Sequence, residues 1–186
     1  MICAWCVLGC GTTPIEAVVI DHGASNNAEE TPTSSGEVCA KAAAPAAGRF
    51  VLSVEAACLR RGAATSVFGN AAFFTELSAD CTSDRAQWDL TPAVAGTFTL
   101  RNVEDQLSLD VRAASDVPGT PIIVYDPNTL DNQRFWFRPR KDTRFELAPR
   151  HAPGLCAEAR ASGVEIWPCQ ADDAAQAFRF ARVSCQ

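Results

Sequence analysis

The residues of this chain best suited to covalent, redox or metal chemistry are nine cysteines and two histidines. Cys3, Cys6 and Cys10 stand at the N-terminus, and Cys39, Cys58, Cys81, Cys156, Cys169 and Cys185 are spread over the rest. Nine cysteines in 186 residues are too many for a reducing compartment unless they bind metal or perform chemistry, so their surroundings decide. Cys3-Ala4-Trp5-Cys6 has the spacing of a redox or zinc motif, but it lacks a His or a second pair and has only apolar neighbours. His22 and His151 belong to no catalytic or metal constellation and are expected to be solvated. No Gly-rich phosphate loop occurs. These residues point to no enzyme, no metal and no cofactor. The six later cysteines are even in number, as three disulfides require, and the remainder falls in a leader.

That leader, residues 1–10, carries an apolar run from Ile2 to Leu8, far short of the roughly 20 residues that span a bilayer. Val7-Leu8-Gly9-Cys10 resembles a bacterial lipobox, which implies cleavage before Cys10, lipidation of its thiol and an exported protein, either a cell-envelope lipoprotein or secreted. No Lys or Arg precedes the run, a departure from the usual signal pattern. Residues 11–47 are rich in Ala, Thr, Ser, Pro and Glu and read as a flexible tether. The stretch from Asn26 to Gly36 cannot bury enough apolar surface to offset its ordering entropy.

Sixteen Lys and Arg against 22 Asp and Glu give a net charge of −6 without a basic stripe, which excludes nucleic acid as the natural partner. The same acidity disfavours anionic lipid, so a membrane is reached only through a lipid anchor. A composition 47% hydrophobic and 20% charged is that of an ordinary globular protein. The length accommodates one packed domain, 48–186, which is expected to be monomeric.

What must position any binding residues in that domain is visible as an internal repeat. Phe50-Val51-Leu52, Phe98-Thr99-Leu100 and Phe145-Glu146-Leu147 recur at intervals of 48 and 47 residues, each placing two apolar side chains on one face of a strand. Trp88-Asp89-Leu90, Phe135-Trp136-Phe137 and Phe178-Arg179-Phe180 keep step at intervals of 47 and 43. Between these markers Gly62, Gly69, Pro118-Gly119, Pro127-Asn128 and Ser162-Gly163 cut the chain into short strands. Three such units, about 48–90, 96–137 and 143–183, predict an all-β fold, a closed β-trefoil of hairpins. Phe73-Phe74 is expected to fill core.

Leu107-Ser108-Leu109-Asp110-Val111, Gly119-Thr120-Pro121-Ile122-Ile123-Val124-Tyr125 and Asn132-Gln133-Arg134-Phe135 together resemble the ricin B-chain type of β-trefoil lectin. Leu155-Cys156-Ala157-Glu158, Ile166-Trp167-Pro168-Cys169 and Gln176-Ala177-Phe178 look like a second copy. In that family each unit can carry one shallow sugar pocket made of a carboxylate, a stacking aromatic and an Asn-Gln pair. A carboxylate accepts from two adjacent sugar hydroxyls, amides offer donors and acceptors together, and an aromatic face meets the C–H face of the ring.

The resemblance therefore implies a main sugar site in the middle unit at Asp110, Tyr125, Asn132 and Gln133. Ile123 stands where the family often has a polar residue. In the last unit Glu158, Trp167 and Gln176 match, but Ala175 replaces the Asn and the hairpin is shorter, which implies a weaker site. In the first unit Arg60, Ala79 and Ala86 take the carboxylate, aromatic and Gln positions, so that site is lost. The family also implies bridges Cys58–Cys81 and Cys156–Cys169. Cys39 and Cys185, at domain ends expected to lie close together, form the natural third pair. The implied function is a carbohydrate-binding module for a galactose- or xylose-type glycan. The alternative is a trefoil that has lost sugar and serves as a protein-interaction or inhibitor scaffold.

Overall fold

The Phe-x-Leu and aromatic-x-apolar markers each form a strand, because an alternating pattern lets one face enter a core while the other stays in water. The computed structural model describes residues 45–140 and 142–183. The lipobox with Cys10, the tether up to residue 44, His22, Cys39 and Cys185 lie outside the described residues. The first repeat consists of β1 (Gly48–Val54), β2 (Ala57–Val67), β3 (Asn70–Ser78) and β4 (Gln87–Pro92). The second has β5 (Phe98–Asn102), β6 (Ser108–Val111), β7 (Thr120–Tyr125) and β8 (Phe135–Pro139). The third has β9 (Phe145–Pro149), β10 (Leu155–Arg160), β11 (Gly163–Pro168) and β12 (Arg179–Arg182). In each repeat a short 3₁₀ turn, Asp84–Ala86, Asp131–Gln133 or Ala174–Gln176, precedes the fourth strand.

The first and last strands of the repeats close a ring. Strands β1, β4, β5, β8 and β9 pair in that order, β12 pairs with β1, and a bridge between Phe145 and Phe178 joins the third repeat's ends. Leu52, Trp88, Leu100, Phe135, Leu147 and Phe178 fill the ring and are all fully buried. Burying each contributes about 1.5–3 kcal/mol, so the threefold marker is a threefold core. Phe98 stacks on Phe137 at 4.9 Å, and Phe180 touches Phe137, Phe145 and Phe50, forming an aromatic layer from all three repeats. The structure is thus the expected all-β trefoil, with β4 and β8 running two residues past the anticipated ends of the first two units.

The remaining strands make three hairpins over the ring. β3 pairs with β7 through Phe73↔Val124 and Phe74↔Ile123, and β7 pairs with β11 through Pro121↔Glu165 and Thr120↔Ile166. Thr75 links all three. Its buried hydroxyl donates to the Ile122 carbonyl at 2.8 Å and accepts from the Val164 amide at 3.2 Å. Gly163, at φ +132°, lies so close that a Cβ would collide with the Thr75 carbonyl oxygen.

The first hairpin is the longest, with strands of 11 and 9 residues that lean across the second repeat. Ile123 explains the lean: fully buried, it packs with Val67, Ala72, Phe74 and Tyr125. Phe73 packs against the main core under the Arg61 guanidinium, 3.5 Å away, so both phenylalanines of that pair fill packing positions. Cys58–Cys81 and Cys156–Cys169 are disulfide-bonded, with Cα atoms 5.5 and 4.9 Å apart.

Candidate functional site

Asp110 lies on β6 with only 2% of its surface exposed. The 3₁₀ turn at Asp131–Gln133 delivers two amides to it: Asn132 Nδ2 donates to Asp110 Oδ2 at 2.9 Å and Gln133 Nε2 at 2.7 Å. Both bonds end on Oδ2, which leaves Oδ1 as a charged acceptor for a ligand. Burial pushes the Asp110 carboxyl up to about 6, although the two amides and the charge of His151 pull the other way.

Gln133 is fully buried and satisfied within the protein. Besides Asp110, its amide donates to the Asp126 carbonyl at 2.8 Å, and its oxygen accepts from the Asn128 amide at 2.8 Å. It holds the carboxylate to the loop beyond Tyr125. Asn132 is different. It donates to Asp110 and to the Val111 carbonyl, while its buried Oδ1 has no partner. An unpaired buried acceptor is costly unless a ligand or water satisfies it.

Asp110, Asn132 and half-buried Tyr125 border one recess of about 210 Å³, together with Val67, Phe68, Ala113, Ala114, Asn128 and Leu130. Ala113 and Ala114 belong to the excursion between β6 and β7, which the last repeat lacks. There, Arg160 and Gly163 face each other across a two-residue turn. His151 braces this excursion. With the proton on Nε2, it donates to the Ser115 carbonyl at 2.9 Å, and its Nδ1 is buried. The expectation that His151 is solvated is therefore corrected: the third repeat's loop carries it against the second repeat.

Val67 and Phe68 come from the first repeat. Phe68 and Gly69 form the hairpin turn, with φ of +49° and +83°. Asn70, just past the turn, donates to Tyr125 Oη at 2.9 Å. Sequence reasoning missed Phe68 and Asn70; the available signal was a bulky aromatic beside the turn-forming Gly69.

In the third repeat Glu158 repeats the Asp110 arrangement. It is buried, and Gln176 Nε2 donates to its Oε2 at 2.9 Å and to the Pro168 carbonyl, while Gln176 Oε1 accepts from the Gln170 amide. Here the second oxygen is occupied: the Arg160 guanidinium pairs with Glu158 Oε1. The same guanidinium lies over the Trp167 ring at 4.7 Å, and Trp167 Nε1 donates to Glu165. Arg160 thus covers both the second carboxylate oxygen of Glu158 and the indole face of Trp167.

The first repeat has Arg60 at the carboxylate position, paired with Glu76 at 2.7 Å. Strand register places Ser78 across from Cys58, as Tyr125 is across from Ser108 and Trp167 from Cys156. Ser78, not Ala79, is therefore the residue at the aromatic position; counting back from Cys81 misses one extra residue after β3. Ala86, fully buried, stands where the other repeats have Gln.

The model of the ricin-type β-trefoil lectin domain-like family matches this chain over residues 57–125 and 84–166. No curated protein matches it. Among solved structures, a designed threefold symmetric protein, ThreeFoil, is 22% identical with a TM-score of 0.63, over 73% of this chain and 99% of its own. A Polyporus squamosus lectin, solved with a human-type influenza-binding epitope, is 17% identical with a TM-score of 0.60, over 75% of this chain and 50% of its own. An exo-β-1,3-galactanase from Clostridium thermocellum is 24% identical with a TM-score of 0.61, over 75% of this chain and 31% of its own. At these identities the structures share the fold, while the family model covers residues 57–166, more than half of the chain. The chain belongs to the ricin-type β-trefoil lectin domain-like family.

Proposed function

We infer that this protein is a non-catalytic carbohydrate-binding module whose principal sugar site is the recess of the second repeat. The observation that carries this is the unpartnered Asn132 Oδ1 beside Asp110 and Tyr125 in one recess. Asp110 Oδ1 and Asn132 Oδ1 accept from neighbouring sugar hydroxyls, Tyr125 supplies the platform, and Gln133 positions the carboxylate. The chemistry suits a galactose- or xylose-type glycan. Asp110 and Glu158 belong to different repeats and are each closed by their own Gln, an arrangement for binding and not for the paired carboxylates of glycoside hydrolysis.

The third repeat is a latent site in its present form, because Arg160 occupies it. The alternative of a protein-interaction scaffold draws on this and on the lost first site. Glycan-array screening followed by calorimetry separates the two. A shallow site of roughly millimolar affinity corresponds to about −4 kcal/mol, and a lost charged acceptor costs about 1.5–3 kcal/mol. Asp110→Ala should therefore abolish most binding, and because it also removes the acceptor of the Asn132 and Gln133 amides, thermal melting must show that the variant is folded. Failure of every glycan at millimolar concentration would favour the scaffold. Lipid tethering at Cys10 is part of the same proposal; Cys10→Ser should move the protein from membranes to the soluble fraction.

A further inference from the structure

The recess of the second repeat has a polar floor and an apolar rim. Among the described residues, Phe68, Val94, Val117 and Leu130 are the exposed large hydrophobics, and two of these four, Phe68 at 87% and Leu130 at 60%, border this recess. Val67, Ala113 and Ala114 extend the apolar lining. The backbone adds a second observation. Among the described residues seven non-glycine residues have positive φ, and three of them, Phe68 at +49°, Ala113 at +57° and Ala114 at +51°, line this one recess. A bulky aromatic in the left-handed region is strained, and Asn or Gly would sit there more comfortably. Strain held at a ligand-facing rim, with a large ring left in water, points to a gain made on binding.

Resting on the sugar-site reading above, we propose that Phe68 and Leu130 are specificity-determining residues that select a sugar carrying an apolar aryl or alkyl substituent next to the hydroxyls held by Asp110 and Asn132. The hydroxyls satisfy the unpartnered Asn132 Oδ1, and the substituent covers the Phe68 ring. A simple sugar meets the floor and leaves the rim wet. The first repeat, whose own site is lost, thereby contributes to the second repeat's ligand through the tip of its hairpin.

The test compares 4-nitrophenyl and methyl β-galactosides and β-xylosides by calorimetric titration of the intact protein. For whichever sugar binds, the aryl glycoside should bind about tenfold more tightly than the methyl glycoside, as expected for about 50 Å² of added apolar burial. That ratio should fall toward one in Phe68→Asn and be reduced in Leu130→Ser. Asn relieves the turn, so Phe68→Asn should melt at or above the wild-type temperature, and a lost ratio then reports contact and not misfolding. Equal affinity for aryl and methyl glycosides in the wild type, or an undiminished ratio in Phe68→Asn, overturns this inference and leaves the sugar site standing. If neither kind of glycoside binds the wild type at millimolar concentration, the sugar-site reading fails and this inference falls with it.

Discussion

Asn70 of the first repeat donates a 2.9 Å hydrogen bond to the phenolic oxygen of Tyr125 in the second, so the candidate platform is held by a neighbouring hairpin. The bond is reinforced from below, where Ile123, Val67 and Phe74 pack the hairpin against β7. A platform fixed before binding loses less side-chain freedom when a sugar arrives. Asn70→Ala should weaken sugar binding by roughly two- to fivefold, the worth of about 0.5–1 kcal/mol, without changing the floor residues. Tyr125→Ala should remove most binding. Calorimetry on both variants checks the order of these effects, and equal losses would mean that Asn70 touches the ligand itself.

Asp110 makes a pH dependence inevitable if its carboxylate is the acceptor. Its folded value of about 6 lies above the ordinary carboxylate range, so a proton competes with the sugar below pH 6. Affinity should fall by roughly tenfold between pH 7 and pH 5. The stability effect has the opposite sense. The folded protein holds the proton more tightly than the unfolded chain, so stability decreases as pH rises from about 4 to about 6 and the cost of the buried charge is complete above that. Asp110→Asn keeps an oxygen for Asn132 and Gln133 and removes that charge. It should raise stability at pH 7–8 by up to about 3 kcal/mol, with the gain vanishing near pH 4, and should make binding weak and independent of pH. Paired denaturation curves at pH 4 and pH 7.5 decide the matter.

Arg160 pairs with Glu158 and covers Trp167, the two residues of the third repeat that correspond to Asp110 and Tyr125 of the proposed site. Arg160→Ala should uncover the ring and release Glu158 Oε1, raising the number of sugars bound from one toward two. Removing the partner of a buried carboxylate also destabilises the fold, so thermal melting must accompany the titration. Arg160→Gln should open the platform with less damage, because it leaves a donor near Glu158. Unchanged stoichiometry in both folded variants would show that Ala175, in place of an Asn, is what silences the third repeat.

The threefold marker was legible because each Phe-x-Leu and aromatic-x-apolar strand reports its own burial: Leu52, Leu100 and Leu147 are all sealed in the ring. The carboxylate and Gln pairs were legible only through the resemblance to the ricin B-chain lectins, and Asp110 with Gln133 and Glu158 with Gln176 repeat one arrangement. What the sequence hid is whatever joins one repeat to another. Phe68 and Asn70 reach the second repeat only because the first hairpin is long, and His151 braces Ser115 across 36 residues. Arg160 looks like an ordinary surface charge until its strand places it over Trp167. The shift from Ala79 to Ser78 needed strand register, which cysteine spacing does not report.

The three hairpins meet at one buried hydroxyl. Thr75 contributes one hydroxyl to two other repeats, accepting from Val164 and donating to Ile122, and it is buried at 2% exposure. Thr75→Val keeps the shape but leaves an amide and a carbonyl without their partner, which should cost about 2–4 kcal/mol. Gly163→Ala attacks the same junction from the other side, by forcing a Cβ against the Thr75 carbonyl at a φ that favours glycine. Its effect should be at least as large. Because the junction lies between hairpins and not in the ring, hydrogen exchange should show protection lost first in β3, β7 and β11, while β1, β4 and β5 stay protected. Uniform loss across all twelve strands in either variant would mean that hairpin cap and ring unfold as one unit.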